Sequence, residues 1–130
     1  MVQRVVQLFG VVFLLIGVLG FMASGMSMEA DIETAPRLFG LFPVNALHNI
    51  VHMAFGVWAL LAARTVEGAI KFAKFGGAIY GILAALALVA PTTFGLIPIG
   101  GHDIWLHALI AVVLYGVGVQ ASRKVVPASA

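Results

Sequence analysis

The chain contains no cysteine, which removes disulfides, thiolate metal ligands and cysteine nucleophiles at once. Charge is nearly as scarce. Asp, Glu, Lys and Arg make up 9% of the 130 residues, where a soluble domain devotes about a quarter of its residues to them. With 62% of its residues hydrophobic and a mean hydropathy of +1.12, the chain has lipid as its natural solvent. There is no length to spare for a soluble catalytic domain, because four spans of about 20 residues nearly use the chain up. Any activity is therefore confined to the helices and their short connections. The pI near 9.4 does not point to nucleic acid, since a net charge of +2 spread over helix ends makes no basic stripe.

What the chain does have is four apolar runs, roughly Val5–Ala23, Ala46–Ala63, Phe72–Ala90 and Asp103–Ala121. Each approaches the length that crosses a bilayer core. Asn45 is placed to cap the second run and Asp103 the fourth, with Pro43 and Pro98 upstream. Arg64, Arg123 and Lys124 close the second and fourth runs, where a cation complements the helix dipole. The first run has the outline of a signal peptide, with Arg4, an apolar stretch and then Ala23, Ser24 and Gly25. A later segment repeats it, so it is read as a retained helix.

That repeat is the most informative pattern in the sequence. Phe39-Gly40-Leu41-Phe42-Pro43-Val44 matches Phe94-Gly95-Leu96-Ile97-Pro98-Ile99 at an offset of 55, and without a gap His48 then falls on Asp103 and His52 on His107. The preceding runs align at an offset of 67, placing Arg4 on Lys71, Gln7 on Lys74, Gly10 on Gly77 and Phe13 on Tyr80. The expectation is an all-α membrane protein forming a single transmembrane domain. It has four transmembrane helices in two tandem two-helix repeats, residues 1–66 and 67–124. Each repeat holds two spans, so both enter the membrane from the same side and should be related by a pseudo-two-fold axis along the membrane normal. Gly77 and Gly81 form a GxxxG pair, and Gly10, Gly17 and Gly20 line the first run. These are read as helix-packing positions. Trp105, near a helix start, suits an interfacial anchor.

Basic residues set the orientation. Arg4, Arg64, Lys71, Lys74, Arg123 and Lys124 lie at the termini or around the middle loop, while Arg37 alone lies in the other two loops, with Glu29, Asp31, Glu33 and Asp103. The positive-inside rule puts both termini in the cytoplasm and the FGLxP segments outside.

The histidines are the only candidates for chemistry. His48 and His52 share one helical face at i, i+4, as do Asp103 and His107 on the equivalent helix. His102 lies roughly 140° around the axis from His107 and reads as a loop residue. Ionisable groups in a membrane are costly and turn toward the bundle interior, so His48, His52, Asp103 and His107 should converge near the outer end. Three imidazoles and a carboxylate suit zinc, iron, copper or manganese. Three readings stay open: histidines hydrogen-bonded to loop carbonyls or water in a purely structural role, a metal site, and a haem or chlorophyll held axially by His52, His107 or both. Proton relay is a fourth, with only one carboxylate to serve it. Hydrolysis is not expected, because Asn49 stands where HExxH would carry its glutamate, and no catalytic residue is assigned.

The stretches Leu38 to Arg64 and Phe94 to Ala111 resemble a bacterial family of four-helix membrane proteins, domain of unknown function 4383. Its pattern falls on Asn45, His48, Asn49 and His52, and on Asp103, Trp105 and His107. The resemblance implies the fold and a bacterial inner-membrane location; it implies no activity. The resulting expectation is a non-hydrolytic accessory or assembly subunit with an outward-facing His/Asp site suited to a metal. Its partners would be the bilayer and either a larger membrane complex or further copies of itself, with no nucleic acid.

Overall fold

The computed structural model describes residues 1–125. It is all-helical apart from a two-residue ribbon: α1 Val2–Ser24, β1 Arg37–Leu38, β2 Phe42–Pro43, α2 Ala46–Ala62, α3 Val66–Ala87 and α4 Asp103–Val125. Three helices, α1, α3 and α4, are long and apolar enough to cross a membrane. At 17 residues α2 is shorter, about 25 Å at 1.5 Å per residue. Its start is held back by Pro43 and by Asn45, whose side chain accepts from the His48 amide at 2.9 Å. α3 begins at Val66, six residues before the expected Phe72, because Thr65 caps it by accepting from the Gly68 amide at 3.0 Å. Glu67 in its first turn pairs with Lys71 at 2.6 Å.

α1 packs along α2, and α3 along α4. Both pairs are antiparallel, and glycines allow the approach. A Cβ on Gly10 would lie 2.9 Å from Leu60 and 3.1 Å from the Gly56 carbonyl, while one on Gly17 would meet Met53. In the second pair, a Cβ on Gly77 would come within 2.6 Å of the Tyr115 amide nitrogen, and one on Gly118 within 2.8 Å of Lys74. Small residues serve here because lipid supplies no hydrophobic drive between helices. The outward faces stay apolar, with Leu8, Leu15, Met22, Ile82 and Val112 all exposed. Gln3 Nε2 donates to the Ala63 carbonyl at 3.0 Å, so the N-terminus and the α2–α3 turn share one end of the molecule.

The other end is closed by the two FGLxP segments. β1 and β2 pair antiparallel, Leu38 opposite Phe42 and Arg37 opposite Pro43, a ribbon the sequence pattern did not suggest. Its turn places Phe39 and Gly40 at φ 54° and 71°, and Phe94 and Gly95 adopt φ 58° and 87°. The Val44 amide donates to the Pro36 carbonyl at 2.8 Å, and the Ile99 amide to Pro91 at the same distance. Pro43 and Pro98 are both fully buried. Asn45 ties the two segments together, its Nδ2 donating to the Leu96 carbonyl at 2.8 Å.

Candidate functional site

The site lies beneath these segments, in the first two turns of α2 and α4. Asn45 caps α2, and His48 and His52 share one of its faces, their rings stacking at 4.7 Å. α4 supplies His107, whose ring lies 6.2 Å from that of His48. Ligand atoms of His48, His52 and His107 all lie within 4.8 Å of one another, and the three residues are buried.

Asp103 does not sit before α4 as its cap. It is the first residue of the helix, and its buried Oδ2 stands 3.8 Å from His48 Nε2. It adjoins the three imidazoles without joining their group. His102, exposed in the preceding turn, accepts from Trp105 Nε1 at 3.1 Å. It takes no part in the cluster, in keeping with its spacing.

The hydrogen bonding inside the cluster is incomplete. Nδ1 of His48, His52 and His107 and Oδ2 of Asp103 are buried without a hydrogen-bond partner. The Pro43 carbonyl approaches His48 and the His48 carbonyl approaches His52, yet neither makes a bond of good geometry. A buried polar atom left unsatisfied costs about 1–3 kcal/mol, a cost that a ligand, a proton or water at this point would relieve. The donor set suits a borderline-soft divalent metal. Zn–N bonds are about 2.0–2.1 Å, so a metal held here would need modest ring rotation to draw the imidazoles inward.

The walls are aromatic. Phe13 of α1 and Tyr80 of α3 stack with centroids 5.3 Å apart and planes 1° from parallel. Phe13 packs against His52 at 5.9 Å, and Tyr80 against His107 at 5.2 Å. The sequence pattern alone does not mark either aromatic as part of the site, although the offset of 67 pairs them. Asn49 lies on the side of α2 that faces α1, its Nδ2 donating to Ser24 Oγ at 2.9 Å while its Oδ1 has no partner. Cavities of about 60 Å³ and 80 Å³ flank the imidazoles. A water occupies about 30 Å³, so these spaces have room for about two and about two to three waters respectively. A porphyrin or chlorin macrocycle does not fit them.

The sequence profile of a family described as Domain of unknown function (DUF4383) matches residues 3–120. No curated protein and no solved structure matches the chain.

Proposed function

We propose that the chain, which belongs to the DUF4383 family, is a duplicated four-span membrane protein that holds a transition metal on His48, His52 and His107. The carrying observation is the meeting of three buried imidazoles from α2 and α4 within 4.8 Å, each with an unpartnered Nδ1. Asp103 Oδ2, 3.8 Å from His48 Nε2, would be placed to accept from that nitrogen and fix the ring's tautomer, as carboxylates behind metal-bound histidines do.

The duplication, residues 1–66 and 67–124, draws support from contacts that recur under the two offsets. Gly10 against Leu60 corresponds to Gly77 against Tyr115, and Val44 to Pro36 corresponds to Ile99 to Pro91. Phe13–His52 corresponds to Tyr80–His107. Two matched residues, Phe13 and Tyr80, stack on each other, as residues flanking a pseudo-two-fold axis do. With four spans, α2 is accommodated by local bilayer thinning, at fractions of a kcal/mol per Å of mismatch. The scarcity of basic residues at the histidine end, where Arg37 stands alone among the loops, supports an outward-facing site in a bacterial inner membrane with both termini in the cytoplasm. In that setting the protein serves as a non-hydrolytic accessory or assembly subunit.

A purely structural role is favoured by the ring packing of His52 and His107 on Phe13 and Tyr80. Metal analysis with an absorption spectrum on gently purified protein separates the two. One metal per chain without a Soret band supports the metal centre. Metal-free protein that takes up neither zinc, copper nor iron leaves the structural role, and a Soret band would overturn both.

A further inference from the structure

The end of the molecule opposite the histidines carries charge of one sign. Of the five acidic side chains in the sequence only Glu67 lies there, and Lys71 holds it at 2.6 Å. Arg123 and Lys124, in the last turn of α4, are exposed and form no ion pair among the described residues. They do not stand on a flat surface. Both border a hollow of about 570 Å³ on the outer face of α4, whose other walls are Tyr115, Gly116, Val119 and Gln120. Gly116, Gln120 and Arg123 fall at i, i+4 and i+7, one face of the helix. Gly116 opens the hollow, since a Cβ built on it meets nothing within 4 Å. Arg4 gives the contrast: it too is exposed at this end, but the face beyond it runs through the projecting side chains of Leu8, Val11 and Leu15.

The spacing along this face suits one class of ligand. Arg123 lies seven residues beyond Gly116, about 10 Å along the helix axis. A bilayer of about 40–45 Å has a hydrocarbon core of about 30 Å, which leaves a headgroup layer of about 5–8 Å on each side. A lipid phosphate on Arg123 and Lys124 therefore puts its glycerol beside Gln120, whose amide can donate to the ester oxygens. The first methylenes of one chain then lie over Gly116, against Tyr115 and Val119.

Other occupants fit less well. A second copy of the chain inserts with the same orientation, so packing across this face would bring its own Arg123 and Lys124 to the same level with no acid to meet them. A free inorganic anion would satisfy the cations and leave the apolar wall bare. A zwitterionic lipid carries the phosphate together with a cation of its own, which these two positive side chains repel. We propose that the hollow binds one anionic phospholipid of the leaflet at the basic end, its phosphate held by Arg123 and Lys124 and its chain seated on Gly116. The site is independent of the histidines and of any metal.

The test uses full-length protein in detergent and native mass spectrometry of its lipid adducts. The probes are phosphatidylglycerol and phosphatidylcholine with identical chains. The first phosphatidylglycerol should bind at least tenfold more tightly than phosphatidylcholine, and millimolar inorganic phosphate should not displace it. Arg123→Gln with Lys124→Gln should remove that preference, because cations at the membrane surface carry the attraction to anionic lipid. Arg4→Gln with Arg64→Gln, which removes equal charge from the same end, should leave it within twofold. Gly116→Leu keeps both cations but fills the hollow, and should weaken phosphatidylglycerol binding several-fold. Its added side chain projects from an exposed position, so it decides the matter even where the double variant fails to fold. Equal binding of the two lipids, displacement by inorganic phosphate, or a preference that survives loss of Arg123 and Lys124 would each overturn the proposal. So would an equal fall on loss of Arg4 and Arg64, or binding unmoved by Gly116→Leu.

Discussion

A buried imidazole nitrogen without a partner is an expense most proteins avoid, and His48, His52 and His107 carry three of them side by side. Asp103 adds a buried carboxylate oxygen in the same condition. Their roles separate by substitution. If the cluster holds a metal as proposed, replacing His52 or His107 by alanine should abolish stoichiometric metal uptake, measured by elemental analysis on protein that still migrates as a folded species. Asp103→Asn keeps the shape but weakens the acceptor behind His48, so affinity should fall about 10–100-fold, the usual cost of losing such a partner. His102→Ala, outside the cluster, should leave uptake intact. Acid should release the metal, because imidazole ligates only when deprotonated; a pH titration of bound metal that stays flat into strong acid would contradict histidine ligation.

Within the elements, boundaries follow from single side chains. Thr65 and Asn45 each cap a helix by accepting one amide hydrogen bond. Thr65→Ala should lower stability by about 1 kcal/mol, readable as a small drop in the detergent unfolding midpoint. Asn45→Ala should cost more, since Asn45 is fully buried and also donates to Leu96 across the two FGLxP segments. Close helix approach is set by glycine. A Cβ on Gly20 would overlap Asn49 Oδ1, displacing a side chain that already holds Ser24. Gly20→Ala should therefore destabilise the α1–α2 pair by about 1–3 kcal/mol. Gly116→Ala, where an added Cβ meets nothing, should be neutral or slightly stabilising, and thermal melts of the two variants side by side test the contrast.

For the whole molecule, the prediction concerns sidedness. Cysteines introduced at Glu29 and Leu96, exposed at the histidine end, should react with an impermeant thiol reagent on intact cells. One at Glu67, exposed at the opposite end, should react only after lysis. The reverse pattern would place the site in the cytoplasm.

Much of this was legible before the fold. Helix positions came from apolar runs interrupted by Pro43, Pro98 and the polar loops, because lipid demands about 20 apolar residues per span and leaves little latitude. The shared face of His48 and His52 followed from the i, i+4 spacing alone, since helical geometry fixes relative direction within one helix. Local spacing cannot determine how one helix is rotated and shifted against another; that is settled by side chains distant in sequence finding a common packing. Only the tertiary structure therefore decided that Asp103 stands behind His48 rather than capping α4, and that Phe13 and Tyr80 stack at the centre.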